Sequence, residues 1–538
     1  MTSAWVIAAI LASTSDVQSV AVAEGEIVAA TTGGLLLVSE AETTVLTTRE
    51  GLPDNSVRTV FVEGNAIWVG TDRGAVRIVD GEVGETRARG QRVFAIARHD
   101  GDLFLGTTGG LFRGTRLVSD VAHVRALAST QDGLYVATAG SFLHLWDGTR
   151  LRRLRSDRFT WDLAAFGSDV YVATSRGIRR YRAGRMVPDR AARRSRSLPV
   201  ADVRALAVVD DTVVAGTWGG GLFRYRRGQW REVEGSPRRV QALSANAAVL
   251  GTPEGWYELA EGRLTRRSSP TLPSNDIAAL AETSEGLWVG TFRHGLVLRR
   301  RDGSLEIFDE ERGLVDGRIN RLVAQGDRLW VATDRGVMER RNGEFVFRGL
   351  LGRHVFALGT AHGLIWAGAG ADLYVYRDGA FARIEQPGSR PQAIVDREGS
   401  AVVATAEGLV TRHPDGWRVR TTEEGLTDDW VTAAAVHGGE TFVGTYNAGV
   451  SRVGREVETL RDDLWVNAGA MLASDRGLAV GTLDQGFWHY DGGWQSLTTD
   501  DGLPDNDVTA ILKSGEGYWL ATRGGIVRIE PAEHGQHP

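Results

Sequence analysis

Residues 50–79 read EGLPDNSVRTVFVEGNAIWVGTDRGAVRIV. Val57, Thr59 and Phe61 alternate with Arg58 and Val60, the period-2 signature of a strand, and AIWVGT and GAVRIV follow as second and third short apolar runs separated by Gly- and Asp-bearing turns. A fourth stretch, GEVGETRA, precedes the next turn. In GLPDN itself, Gly51 permits positive φ, Pro53 fixes φ, and Asp54 and Asn55 can hydrogen-bond their own backbone, which makes a turn. The same five letters return at 502–506, followed by DVTAILKSGEGYWLATRGGIVRIE with the same order of alternation, turn and glycine. The stretch is one unit of a repeat.

Aligned on the WVGT pattern, the chain carries fourteen anchors, at Thr31, Thr71, Thr107, Thr138, Thr174, Thr217, Thr252, Thr291, Thr333, Ala369, Thr405, Thr445, Thr482 and Thr522. Gly or Ala precedes each, and the spacings run from 31 to 43 residues, the range of solenoids and propellers. A small residue there lets neighbouring sheets approach, and the Thr hydroxyl can bond the backbone of the following turn, so the Thr residues read as structural. No segment sustains helical spacing, which excludes helical solenoids, and the Leu/Asn frame of a leucine-rich repeat is missing. The fold class is all-β, and four antiparallel strands per repeat describe a β-propeller of fourteen blades.

Propellers have four to eight blades as a rule, which favours two tandem seven-bladed rings over one ring of fourteen. Units two and nine match (EGLPDNSV, RGLVDGRI), as do units six and thirteen (GTWGGGLFRY, GTLDQGFWHY), each pair seven units apart. The last unit stops after three strands, and the chain begins with a spare apolar run at Trp5–Leu11. If the halves close separately, Trp5–Leu11 is expected to complete blade seven and 262–269 to complete blade fourteen, giving an N-terminal propeller over 1–261 and a C-terminal one over 262–538. In a single ring of fourteen, Trp5–Leu11 would complete blade fourteen instead.

The 538 residues include 68 Gly, 13 Pro and no Cys, which suits many tight turns and excludes disulfides and Cys-ligated metals. A net charge of −6 over this length carries no global signal for nucleic acid. The apolar run Trp5–Leu11 has no preceding Lys or Arg and is too short to span a bilayer, so it reads as a buried strand rather than an export signal, and nothing else reaches the length of a transmembrane segment. The compartment therefore leans to the cytoplasm on this feature alone.

The units EGLPDNSVRTVFVEGNAIWVGTDRGAVRI and DGLPDNDVTAILKSGEGYWLATRGGIVRI, with GLxxN followed by W[VL][GA]T and Gly, resemble the two-component regulator propeller repeats found in sensor regions of bacterial hybrid histidine kinases. The resemblance extends repeat by repeat over essentially the whole chain. It implies paired seven-bladed propellers that sense an extracellular ligand, often an oligosaccharide, and so an outside location. The sequence departs from the pattern after the propellers, ending at EPAEHGQHP without kinase, membrane or immunoglobulin-like parts, so the resemblance implies a ligand- or partner-binding module and does not imply kinase activity.

Catalytic motifs are missing: there is no GxSxG, HExxH or P-loop. The eleven His are dispersed, and His294, His354 and His362, which lie nearest to interesting turns, lack metal-ligand spacing; no cofactor or metal is expected. Adjacent carboxylates (Asp210–Asp211, Asp428–Asp429, Asp462–Asp463) keep a propeller glycosidase or lyase as a third reading. Binding has better candidates. Trp161, Trp430 and Trp465 stand at the loops into the innermost strand, and Trp218, Phe292 and Tyr446 follow the anchor Thr in longer turns. Such aromatics stack on flat ligand faces, although filling gaps between blades is their commoner use. Trp68, Trp288, Trp330, Trp366 and Trp519, in IWVGT-type contexts, are assigned to the core. Arg190, Arg193, Arg194 and Arg196 form a basic loop that would suit an anionic partner, against a solvated loop as the ordinary alternative. The reading is a non-catalytic binding or sensing protein for a glycan or small ligand; the alternative is a protein-interaction scaffold.

Overall fold

The computed structural model describes residues 5–532, apart from 24, 40–41, 140–141, 155–158, 189–193, 195–197, 210–211, 227–228, 247, 261–262 and 268–270. Fourteen four-stranded antiparallel sheets form fourteen blades, and in thirteen of them the strands are consecutive in the chain. The chain divides into two compact units, 13–269 with blades one to seven, and 1–12 together with 270–538 with blades eight to fourteen. Each is a seven-bladed propeller.

The closing strands correct the expected boundaries. Trp5–Leu11 pairs antiparallel with Gly525–Pro531, so it completes blade fourteen. Blade seven instead takes its outer strand from its own continuation, Arg263–Arg267 paired with Gly255–Ala260. The N-terminal propeller is thus 13–269 and not 1–261, and it is inserted in sequence between the closing strand of the C-terminal propeller and the rest of it. Among the described strands, only Gly525–Pro531 of the last repeat has an outer edge with no partner from the following stretch of chain, and unpaired ladder groups are what a spare strand relieves. Trp5 anchors that strand, 6% exposed and packed on Phe487, His489 and Tyr518 at ring distances of 6.1, 5.0 and 5.2 Å.

Closure of each ring rests on blade-to-blade packing. The glycine before the anchor Thr faces the residue that opens the next blade's inner strand, or in blade seven a residue two positions ahead of that strand: a Cβ on Gly106, Gly216, Gly251 or Gly290 would lie 2.6 Å from Val124, Val240, Val17 or Ile319. The pair Gly251 and Val17 joins blade seven to blade one. Polar side chains repeat the link, donating to the carbonyl of that same first residue: Asn320 to Val355 (3.0 Å), Thr432 to Val466 (2.8 Å) and Asn467 to Val508 (3.2 Å). Gln241 donates to Val17 (2.8 Å), closing the first ring, and Thr509 donates to Ile277 (2.7 Å), closing the second. All thirteen anchor Thr hydroxyls donate to a carbonyl three or four residues on, at 2.6–3.3 Å.

GLPDN is the joint from the outer strand of one blade to the inner strand of the next. Before it, Thr47 and Glu50 form a capping box on a 3₁₀ turn that ends on Gly51 at φ 102°. Leu52 is buried, and the Asn55 side-chain carbonyl accepts the Thr48 N–H at 2.7 Å. Leu503 and Asn506 repeat this, with Thr499 donating at 2.8 Å. In GLTDD the Asp429 carboxylate takes the amide role, accepting from Thr422 at 2.6 Å. Trp68, Trp288, Trp330 and Trp366 lie in the core, each 4% exposed or less, while Trp519 is partly buried against the cluster around Ile277 and Ala521.

Candidate ligand-binding site

Twelve of the fourteen inner strands begin with a β-bulge directly after their first residue, and that of blade thirteen has a longer irregularity between Val466 and Met471. The register slips at Gln18, Arg58, Phe94, Arg125, Trp161 and Arg204 in the N-terminal propeller. It slips at Ala278, Asn320, Phe356, Gln392, Thr432 and Thr509 in the C-terminal one. A bulge re-aims a side chain that strict alternation would send elsewhere. The residue before the inner strand and the bulged residue therefore present side chains together where each inner strand starts.

In the C-terminal propeller that face carries an aromatic ladder. Trp430 directly precedes the inner strand Val431–His437 of blade twelve, Tyr446 follows the second strand Glu440–Thr445 of the same blade, and Trp465 precedes Val466–Ser474 of blade thirteen. Trp430 and Tyr446 stack at 4.5 Å and 14° between planes; Tyr446 and Trp465 stack at 6.2 Å and 29°. The backbones hold the rings in place: Tyr446 N–H donates to Trp430 C=O at 3.0 Å, Trp430 N–H to Asp428 at 2.8 Å, and Trp465 N–H to the Gln485 side chain at 2.9 Å. Of the sixteen Trp, these two are the most exposed, at 41% and 44%. Aromatic rings left in water in a contiguous, rigid array are unlike scattered surface apolar residues.

Trp430 also lines a cleft of about 900 Å³ shared with Arg353, His354, Phe356, Arg390 and Gln392 of blades ten and eleven. Its polar wall is basic. Arg353 reaches Asp372 at 3.4 Å and His354 Nδ1 lies 2.9 Å from Asp334, while Arg390 has no carboxylate partner among the described residues. In the same propeller, Arg321 of blade nine stretches to the carbonyls of Ala278 on blade eight (3.5 Å) and Ala468 on blade thirteen, across the ring. Blades eight, ten, eleven, twelve and fourteen carry Ala at the equivalent position, as Ala279, Ala357, Ala393, Ala433 and Ala510. Burial pushes the Arg321 guanidinium down to about 10, and Gly469, at φ 65°, leaves the space its head group occupies.

The predicted aromatics regroup. Trp161 is not equivalent to Trp430 and Trp465: it is the bulged residue of its strand, two positions further on, so Phe159 takes the matching place. Its Nε1 donates to Asp202 at 2.8 Å, Phe159 packs at 4.3 Å and the Arg204 guanidinium covers its ring at 3.4 Å. The turn aromatics do not meet either. Trp218 lies beside Arg204 (5.0 Å) and Arg239 (5.6 Å) in the N-terminal propeller. Phe292 is capped by Arg523 at 3.7 Å, whose Nε holds Asp507 at 3.1 Å. Tyr446 alone joins an exposed array. Arg194 is exposed, and Arg190, Arg193 and Arg196 lie outside the described residues. Sequence reading missed the arginines at bulged positions, because a bulge leaves no mark in the apolar/polar pattern.

Of the adjacent carboxylates, Asp428 and Asp429 are engaged by the backbone amides of Trp430 and Thr422, Asp463 pairs with Arg461 at 2.5 Å, and Asp210 and Asp211 lie outside the described residues. Among the described residues no group of three or more His, Asp or Glu is placed to hold a metal ion. Among the described residues no helix is long and apolar enough to cross a membrane.

A search of curated proteins finds no sequence relative. Among solved structures, PorZ, described as an essential surface component of the type-IX secretion system of Porphyromonas gingivalis, aligns over 98% of this chain and 87% of its own, with a TM-score of 0.57 and 13% identity. The extracellular domains of two hybrid two-component systems from B. thetaiotaomicron align over 100% and 96% of this chain, and 84% and 82% of theirs. Their identities are 16% and 14% and their TM-scores 0.42 and 0.43, and of these structures PorZ supports the propeller fold. None of these neighbours lends support to a cytoplasmic place for this chain. The family model described as two component regulator propeller matches residues 271–293, the joint and first two strands that open blade eight. Residues 271–293 match the two component regulator propeller repeat, within a chain that folds as fourteen four-stranded blades.

Proposed function

We propose that the chain is a non-catalytic recognition protein whose C-terminal propeller binds a glycan or small ligand on the Trp430–Tyr446–Trp465 ladder and in the cleft beside it. The observation that carries this reading is the stacked, solvent-facing ladder. Burying large aromatic surface against water-exposed rings is the main source of binding energy at such a site, and the polar groups at its edge set orientation. Pyranose rings have flat C–H faces that match stacked indoles, and the basic wall of Arg353 and Arg390 favours ligands that carry hydroxyls or negative charge nearby. The carboxylates closest to the ladder accept backbone hydrogen bonds, which supports binding over hydrolysis.

The test is glycan-array screening of the purified protein, followed by titration calorimetry on any hit with Trp430→Ala and Trp465→Ala. Loss of the hit in both variants with unchanged unfolding temperature supports the reading. A protein partner recovered by pulldown on the wild-type surface, with no glycan hit, favours the scaffold alternative and rejects it.

A further inference from the structure

We infer that the N-terminal propeller carries a second binding site, in which the guanidinium of Arg125 receives an oxyanion of a ligand: a carboxylate, sulfate or phosphate group. Arg125 is the bulged residue of the inner strand Val124–Thr130. Three aromatic rings box its guanidinium, Phe94 at 5.4 Å, Phe159 at 5.7 Å and Trp161 at 5.7 Å. Its Nε is buried with no hydrogen-bond partner, and no carboxylate or carbonyl among the described residues pairs with the side chain.

The same protein shows what such a box looks like when complete. Arg340 of blade nine is boxed by Trp288, Phe308 and Phe345 at 5.0, 4.8 and 5.1 Å, and there Glu285 accepts from its Nε and Nη2 at 3.0 and 2.9 Å. The other bulged arginines of the N-terminal propeller are likewise neutralised: Arg58 by Asp72 at 2.7 Å through both Nε and Nη2, and Arg204 by Asp202 at 2.8 Å. Arg125 has the rings and lacks the anion.

A desolvated cation without a counter-charge is costly to the fold. Burial, and then the positive charges of Arg204, Arg58 and Arg92, depress its pKa below the ordinary arginine value. The planar fork of a guanidinium matches two oxygens of an oxyanion, and rings that exclude water strengthen that pairing. The missing partner is therefore supplied from outside. This site is independent of the aromatic ladder, since it lies in the other propeller and involves none of its residues.

The test uses the full-length protein at constant ionic strength, with millimolar sulfate, inorganic phosphate or galacturonate against chloride. Unfolding of 13–269 is followed by hydrogen exchange during thermal ramps. At least one oxyanion is expected to raise its unfolding temperature, and which of the three does so identifies the chemistry. Arg125→Met keeps an apolar stem between the rings without charge; it is expected to abolish the rise while unfolding no earlier than wild type in chloride. Arg125→Lys, which keeps charge and loses the fork, is expected to weaken the response about tenfold. No response to any of the three anions, or an equal response in Arg125→Met, overturns the inference, as does an Arg125→Met that unfolds early in chloride.

Discussion

Replacing Trp5 with Ala is expected to destabilise the C-terminal propeller, although the residue lies beside the start of the N-terminal one in sequence. The indole is 6% exposed and wedged among Phe487, His489 and Tyr518, and its strand is the sole ladder partner of Gly525–Pro531 on that edge. Truncating a buried Trp to Ala removes its transfer energy and leaves a cavity, about 3–5 kcal/mol. Each kcal/mol lowers the melting temperature of a unit this size by roughly 2–4 °C, so the shift is on the order of 10 °C. Two propellers with separate cores unfold as separate transitions when their coupling is weak, so calorimetry of Trp5→Ala should show one transition moved and one in place. Hydrogen exchange should locate the loss in 508–531 and 487–490. A matching loss in 242–267, or equal shifts of both transitions, would show that Trp5–Leu11 supports blade seven after all. Deleting residues 1–12 should reproduce the pattern with a larger shift, because Ile7 and Ile10 are then lost from the same cluster.

Three further outcomes follow from the site and its surroundings. Trp430→Ala should leave the melting temperature within about 1–2 °C of wild type, because an exposed side chain contributes within about 0.5 kcal/mol, while ligand affinity measured by calorimetry falls tenfold or more; retained affinity refutes the ladder. Arg321→Ala should free the carbonyls of Ala278 and Ala468 and cost about 1–3 kcal/mol, seen as faster amide exchange around 467–470, and unchanged exchange there would mean the arginine does not brace the ring. Asp162 sets a pH dependence. Burial raises its carboxyl to about 6 despite hydrogen bonds from Leu163 and Leu206, above its value of about 3.9 in an unfolded chain. The folded state thus binds the proton more tightly, so this group's stabilisation is full below about pH 4 and is lost as pH rises through 6, roughly 3 kcal/mol in all. Asp162→Asn should flatten the stability of 13–269 across pH 4–7; an unaltered slope in that variant would assign the dependence elsewhere.

Much of this architecture is written locally. Alternation over 57–63, the small residue before each Thr, and the glycine after it are properties of a few neighbouring residues, since strand faces repeat every two positions and a tight turn needs its own glycine. That is why blade number, strand number and the role of the anchor Thr are legible in the chain alone, and why GLPDN reads as a joint before any coordinate is known. The aromatic residues of the ladder are visible in the sequence as candidates too, at Trp430, Tyr446 and Trp465, but in two separate groups, one with Trp161 and the other with Trp218 and Phe292, which belong elsewhere.

The tertiary structure decided the rest. Trp5 finds its strand partner 526 residues away at Pro531, and no local pattern distinguishes that edge from the one on blade seven, because both offer an apolar strand an antiparallel neighbour. Packing separated them: Arg263–Arg267 occupies one edge by chain continuity and leaves the other open. The bulge at the head of twelve of the fourteen inner strands shifts side chains by one position, which moved Trp161 away from the role of Trp430 and placed Arg125 between aromatic rings. Sequence spacing sets which residues are available; close packing of seven sheets around a ring sets which of them meet.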